Sequence, residues 1–311
     1  MGSNPRTIRL TDRKGPTMGI FWAGEFGHLI MNVVPRVNAM RKEFPNHRII
    51  FAGYKDDYLY FRDNNGDWTI DEYISFDWWP IDRGCHEIKG PLTDEAIAAF
   101  AQLKERSEVY MDTTAITLKE YSDEFKAKSI LAYPFKNIVS KDRKIDNHPH
   151  IIIYARAKNY AGLDFRSWEP EKWHQFMDEL LCVLPNNYKV YVCGVEAESV
   201  HFQRSDRIVP ILKGLDRSKI TLNLLSNAKY CISDCSGSGN FAIQCGIPTF
   251  ISGPNGYKDG FEKTKNYFGV YVKYQTCDMR TLSSELRMKG FLDFYSGLYC
   301  NLEREVYNGV D

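Results

Sequence analysis

A short turn rich in glycine and serine follows an apolar segment, residues 229–233, and begins at an acid, Asp234. A buried strand, a tight turn and then a short helix would leave several backbone N–H groups directed at one point, as phosphate binding requires. We therefore predict a phosphate site here, although Asp234 could equally be a helix cap or a turn-stabilising acid. The residues predicted to contact the ligand are Asp234, Ser236, Gly237, Ser238, Gly239 and Asn240.

Three cationic residues, Arg156, Lys158 and Arg166, lie in a second stretch, which follows the apolar run at residues 151–154. The end of a strand in a parallel sheet is where such proteins bind ligands. Cations at that place would hold a diphosphate and stabilise it as it leaves, and the fork of an arginine suits phosphate oxygens. An ordinary solvated loop is the alternative explanation for each of them.

A third stretch begins at Gly194, at the end of the apolar run of residues 188–193. Glu196 is placed to accept hydrogen bonds from a base or a ribose. Because acids also favour the N-terminal ends of helices, a helix-start acid is an equally good interpretation of Glu196.

The elements that would position these loops alternate between strand and helix in the second half of the chain. One predicted helix, residues 169–184, carries Trp173, Phe176 and Leu180 at helical spacing, with Pro170 in its first turn. This alternation predicts a parallel sheet covered by helices on both faces. The predicted strands are residues 151–154, 188–193, 207–212, 229–233 and 248–251, and the other helices are residues 218–227 and one ending near Gln244.

The first half begins in the same way, with a predicted strand at residues 18–22 and a tight turn at residues 24–27. A helix is predicted over residues 29–44, in which Pro35 either introduces a kink or begins the regular part. Further strands are predicted at residues 48–52 and 72–76, and a further helix at residues 93–106.

A chain of 311 residues exceeds the usual size of one domain, so we expect two. The polar residues 140–149 are the predicted linker. The expected division is an N-terminal domain of residues 1–145, a C-terminal domain of residues 146–275 and a helical tail, residues 276–311, that packs back on the first domain.

The composition excludes several classes of protein. Forty Lys and Arg residues balance 40 Asp and Glu residues, so there is no electrostatic argument for binding nucleic acid and at most a peripheral contact with membranes is expected. Apolar runs of about 18 residues and the apolar core of a signal peptide are both missing, which predicts a cytoplasmic protein. The eight cysteines include no Cys-x-x-Cys pair and are expected to be buried thiols.

The order of the motifs resembles the donor-binding half of GT-B glycosyltransferases, particularly the lipopolysaccharide heptosyltransferase type of glycosyltransferase family 9. The resemblance covers about residues 150–254 and includes a Trp-x-Pro-x-x-Trp helix at Trp168 to Trp173 and the turn after Asp234. It implies an α/β protein with two Rossmann-like domains, each with a parallel sheet, that face each other across a cleft. Asn240 stands roughly where the family has a histidine, so the identity of the donor cannot be transferred.

The resemblance also implies a chemistry. The first domain would bind a glycan or glycolipid acceptor, and the second a nucleotide-diphosphate sugar. The family has an acid in the turn after its first strand, so Glu25 is the candidate general base and His28 the alternative. A helix-start acid is the other interpretation of Glu25.

We expect no metal and no other cofactor, because cations and backbone dipoles would stabilise the leaving diphosphate. Inversion at the anomeric carbon is expected because direct displacement needs a base. A sugar-nucleotide epimerase or hydrolase of the same architecture remains an alternative, as does a non-catalytic protein that binds nucleotides or glycans.

Overall fold

The computed structural model describes residues 5–24, 26–63, 65–77, 92–112, 148–157, 165–213 and 217–308. The chain divides into two compact units, Met1–Ile138 and Val139–Asp311. This division falls a few residues before the predicted boundary at residue 145. Each unit contains its own sheet and is described by itself.

The first unit contains a five-stranded sheet with the strand order β1-β4-β3-β2-β5. Strands β2 to β5 run parallel, and β1 pairs with β4 in the antiparallel direction. Strands β1 and β5 were not predicted, because both are edge strands with exposed side chains and neither has a clear apolar run. The strands are β1 (Arg6–Arg9), β2 (Thr17–Phe21), β3 (Arg48–Tyr54), β4 (Glu72–Phe76) and β5 (Val109–Asp112).

The helices of the first unit follow the predicted positions. The predicted helix over residues 29–44 is a short helix α1 (Phe26–His28), a π-helical segment Leu29–Val33 and α2 (Val34–Glu43). Pro35 lies in the first turn of α2, so it begins the regular part of the helix, where its missing N–H costs no helical bond. Helix α3 (Asp94–Glu105) is capped by Thr93, which accepts a hydrogen bond of 3.2 Å from the backbone N–H of Ala96.

The second unit contains a six-stranded sheet, all parallel, with the order β11-β10-β9-β6-β7-β8. This is the doubly wound Rossmann order, in which the chain reverses its direction of winding between two central strands, here β6 and β9. The strands are β6 (His150–Tyr154), β7 (Lys189–Cys193), β8 (Ile208–Ile211), β9 (Cys231–Asp234), β10 (Thr249–Gly253) and β11 (Val272–Thr276).

Five helices accompany this sheet, and the sequence predicted four of them to within a few residues. None of the helices in the described part of the chain is both long and apolar enough to cross a membrane. The helices are α4 (Pro170–Val183), α5 (Arg217–Leu225), α6 (Gly237–Gln244), α7 (Lys258–Phe268), which was not predicted, and α8 (Ser284–Asn308).

The part of α8 whose side chains are described packs into the second unit, whereas contact of the tail with the first domain stays a prediction. Phe291 and Phe294 are fully buried in the core of the second unit, beside Trp173, Phe176 and Phe250. The physical reason is the apolar face of α8, which repeats at helical spacing and covers rings of α4 and β10. The tail is therefore an integral part of the second unit.

We predict that Phe291→Ala lowers the free energy of unfolding of the second unit by about 3–5 kcal/mol, because it leaves a cavity among packed rings. The matched control is the neighbouring Leu292→Ala, at a position 40% exposed, for which we expect a change of about 1 kcal/mol or less. Urea denaturation followed by circular dichroism measures both. Equal, small effects would contradict the assignment of α8 to this core.

Candidate functional site

The carboxyl ends of β6 and β9 lie side by side, because the two strands pair directly. Their connections leave in opposite directions, which opens a crevice outside the ends of the strands. The loop after β6 carries Arg156 and the turn after β9 carries Ser236, so two of the stretches predicted from the sequence meet at this switch point.

The turn after β9 leads directly into α6, whose N-cap is Ser236. The hydroxyl of Ser236 makes no capping hydrogen bond, so the N–H groups of Gly237, Ser238 and Gly239 have no partner within the helix. Gly239 packs tightly on the strand, since a Cβ there would lie 3.2 Å from Ser233 Oγ. The free N–H groups and the positive end of the helix dipole suit an anion.

Asn240, predicted to contact the ligand, has its side chain committed elsewhere. Its Oδ1 accepts a hydrogen bond of 3.2 Å from the hydroxyl of Thr264, a buried residue of α7. The amide oxygen of Asn240 therefore joins α6 to α7, and the backbone at the start of α6 is the part of the turn that is oriented for a ligand.

The carboxylate of Asp234 is fully buried, and protein groups contact both of its oxygens. Its Oδ2 accepts two hydrogen bonds of 3.0 Å, one from the backbone N–H of Arg156 and one from the indole of Trp173. Its Oδ1 lies 2.9 Å from Nη1 of Arg287, which is equally buried. Burial raises the pKa of Asp234, and the ion pair with Arg287 and the hydrogen bond from Trp173 oppose that effect.

Aromatic rings surround the guanidinium of Arg287. Its central carbon lies 3.9 Å from the ring centroid of Trp173, 4.5 Å from that of Trp168 and 5.3 Å from that of Phe176. Trp168 is itself fixed by a hydrogen bond of 2.9 Å from its indole to the carbonyl of Leu282, just before α8. These contacts make the Trp-x-Pro-x-x-Trp motif a cation-binding cage.

The structure gives Asp234 a positioning role, because its carboxylate points into the protein and pairs with Arg287, and its contact with a ligand stays a prediction. Arg287 was not predicted from the sequence as a site residue. A signal for it exists: Arg287 shares the apolar face of α8 with Met288 and Phe291, and a charge on an apolar face requires a buried partner.

Arg156 and Arg166 both lie near the turn after β9. The backbone N–H of Arg156 contacts Asp234 at the end of β9. Burial raises the pKa of the Cys235 thiol in this turn to about 11, and the hydrogen bond with Tyr274 and the positive charges of Arg166 and Arg156 oppose that rise. Arg166 also lies over the ring of Tyr257, 5.6 Å from its centroid. The structure thus brings together two of the three predicted cations, and Lys158 lies outside the described residues.

Gly194 and Glu196 lie at the carboxyl end of β7, one strand away from the switch point. Gly194 has a φ of +153°, and a Cβ there would lie 2.3 Å from Ser199 Oγ, so only glycine fits. The carboxylate of Glu196 pairs with Lys213 at the surface, and its carbonyl accepts a hydrogen bond of 2.9 Å from His201. Glu196 is thus partly committed to protein partners, with its side chain 39% exposed.

In the first unit the order of strands reverses between β2 and β5, and the candidate base follows β2 in the sequence. Glu25 lies outside the described residues. His28 is the last residue of α1, and only the backbone of His28 is described. Gly24 packs on the indole of Trp22, since a Cβ there would lie 2.5 Å from Cζ2. Among the described residues, no group of three or more His, Cys, Asp or Glu side chains is placed to hold a metal ion.

Two α/β units with doubly wound parallel sheets define a GT-B-like fold, and solved structures share it. Heptosyltransferase WaaC of E. coli with ADP is 10% identical, with a TM-score of 0.51 over 89% of this chain and 99% of that chain. The glycosyl transferase family 9 protein of Veillonella parvula is 12% identical, with a TM-score of 0.51 over 93% of this chain and 98% of that one.

A third solved structure, ADP-heptose lps heptosyltransferase II of E. coli, is 9% identical, with a TM-score of 0.52 over 93% of this chain and all of that one. No family model matches the sequence, and the comparison with curated proteins finds no match. At these identities the similarity establishes the fold.

We predict that Arg287→Met lowers the free energy of unfolding by about 3–5 kcal/mol, because it leaves the carboxylate of Asp234 buried without its cation. Adding Asp234→Asn should recover part of that loss, since the double variant contains no unpaired charge. Urea denaturation measures both.

The control for this pair is Lys273→Met, which breaks the exposed ion pair with Asp293 and should cost less than about 1 kcal/mol. If Arg287→Met costs no more than this control, the buried pair does not hold the site together. If the double variant is as unstable as Arg287→Met alone, the loss does not come from the unpaired charge.

Proposed function

We propose that the chain is a glycosyltransferase that moves a sugar from a nucleotide-diphosphate sugar to a hydroxyl group of a glycan or glycolipid acceptor. The observation that carries this proposal is the switch point between β6 and β9, where the free N–H groups of α6 lie beside the loop of Arg156, whose backbone contacts Asp234. Proteins of the same fold support it, since one was solved with ADP and another is described as an ADP-heptose heptosyltransferase.

The chemistry follows from the charge that develops on the leaving group. As the sugar–phosphate bond breaks, negative charge accumulates on the diphosphate, and fixed donors near it lower the barrier. In our proposal the N–H groups of Gly237, Ser238 and Gly239 and the guanidiniums of Arg156 and Arg166 supply these donors. Together with Lys158 they would perform without a metal ion the task that a divalent cation performs in other transferases.

The acceptor would be activated by the first unit. In our proposal Glu25 removes the proton from the acceptor hydroxyl as the oxygen attacks the anomeric carbon, with His28 as the alternative base. A single displacement of this kind inverts the configuration of the anomeric carbon. Both residues follow β2 in the sequence, and the order of strands reverses beside β2, which supports this role.

We predict that nucleoside diphosphates bind in the presence of EDTA and that Arg156→Gln weakens this binding about tenfold, because one charge-assisted contact is lost. Glutamine keeps the backbone N–H that donates a hydrogen bond to Asp234, so the fold at the switch point is preserved. A thermal-shift screen of UDP, GDP, ADP, dTDP and CMP selects the ligand, and calorimetry then measures its affinity.

The matched control for that experiment is Arg204→Gln, which removes the same charge from an exposed position away from the turn. An equal loss in this control would contradict the role of Arg156. If no nucleotide in the screen stabilises the protein, the proposal of a nucleotide-sugar site fails, and a requirement for a divalent cation would contradict metal independence.

We predict that Glu25→Gln lowers the rate constant of transfer by about 10²–10⁴-fold while leaving nucleotide affinity unchanged, because it removes only the general base. His28→Gln, tested in parallel, distinguishes the two candidates. Proton NMR of the product should show an inverted anomeric configuration. Retention, or near-normal rates in both variants, would rule out this mechanism, and turnover of the sugar nucleotide without any acceptor would indicate an epimerase or hydrolase instead.

A further inference from the structure

The amino edge of the first sheet, where β2, β3 and β4 begin, carries a second concentration of positive charge. A cavity of about 530 Å³ opens there, and we call it the amino-edge pocket. It lies at the opposite end of the parallel strands from the turn after β2. The charged residues that line it are Arg9, Arg13, Lys14, Arg48, Arg106 and Glu72.

Two consecutive buried acids, Asp71 and Glu72, anchor most of these cations. Asp71 pairs with Arg41 and, at 3.1 Å, with Arg13. Glu72 pairs with Arg48 through one carboxylate oxygen and with Arg106 through the other. Each carboxylate thus holds two guanidiniums, although one would be enough to neutralise it.

The remaining charges near the pocket do not restore the balance. Arg9 pairs with Asp12 at 3.0 Å, and Glu108 accepts a hydrogen bond of 3.2 Å from the backbone N–H of Thr17. Lys14 is exposed and has no acidic partner in the described part of the chain. The amino edge thus has two more positive than negative side chains. Its six cations are Arg9, Arg13, Lys14, Arg41, Arg48 and Arg106, and its four acids are Asp12, Asp71, Glu72 and Glu108.

The cations are also held in place before any ligand arrives. Arg48 and Arg106 each contact Glu72 through one terminal nitrogen, their side chains are about 30% exposed, and a guanidinium has five N–H donors. The loop that carries Arg13 and Lys14 is fixed by Gly15, which has a φ of +149° and whose Cβ would lie 2.1 Å from the carbonyl oxygen of Asn46. Preorganised donors lower the cost of binding.

We propose that the amino-edge pocket binds a phosphomonoester dianion. Its two uncompensated charges match the charge of that group, and the fork of an arginine matches the geometry of its oxygens. The phosphomonoester belongs either to a small soluble metabolite or to a lipid headgroup such as that of phosphatidic acid. This inference rests on the first unit alone and is independent of the proposed transferase activity.

Two measurements on the full chain test it. Calorimetry with glycerol 3-phosphate probes the soluble ligand, and flotation with phosphatidylcholine vesicles, with and without phosphatidic acid, probes the lipid. We expect saturable binding in one of the two, weakened about tenfold by Lys14→Gln and again by Arg106→Gln. Lys14→Gln leaves every ion pair of the described residues intact, so its effect does not depend on a change in folding.

The matched control is Lys42→Gln, which removes the same charge from an exposed position on α2 outside the pocket. Binding of the soluble ester or of the vesicles supports the proposal and identifies the source of the phosphate. An absence of binding in both measurements overturns the proposal. So does an equal loss in Lys14→Gln and Lys42→Gln, which would show attraction to net charge rather than a site.

Discussion

The buried ion pair between Asp234 and Arg287 is the interaction on which the second unit depends. Removing two charges from water costs several kcal/mol per ion, and only close pairing and hydrogen bonds offset that cost. Asp234 has the ion pair and two hydrogen bonds, while aromatic rings surround the guanidinium of Arg287, and these contacts join four parts of the chain: the end of β9, the loop after β6, α4 and α8. The geometry of the switch point therefore depends on the C-terminal helix, far away in sequence.

This pair also explains why the turn after β9 is able to bind an anion. An acid just before a helix commonly caps it, and its carboxylate would then occupy the N–H groups of the first turn. Here Arg287 and Trp173 hold the carboxylate of Asp234 inside the protein, and Ser236 makes no capping hydrogen bond. The N–H groups at the start of α6 consequently remain available, and the positive end of its dipole is not neutralised by a neighbouring acid.

Local pattern explains which parts of the structure could be predicted. Buried parallel strands are continuous apolar runs, and Pro35 and Pro170 indicate where helices begin, so most element positions from β2 to β10 follow from the sequence. Strand β1 has no such run, because an edge strand remains largely solvated. The partner of Arg287 could not be predicted either: its place on the apolar face of α8 indicates that its charge is buried and paired, but the pairing with Asp234 joins two distant segments.

The two concentrations of positive charge differ in what determines their geometry. At the amino edge of the first sheet, Asp71 and Glu72 are buried and must be compensated, so the fold itself fixes the arginines around them. At the switch point of the second sheet, the fold fixes backbone N–H groups and leaves Arg156 and Arg166 partly exposed at the ends of loops. Donors of the first kind are held by buried carboxylates before a ligand binds, whereas the N–H groups at the start of α6 and the positive end of its dipole stabilise negative charge as it grows on a bound group. The amino-edge pocket therefore suits the binding of a constant anion, and the switch point suits a diphosphate that leaves.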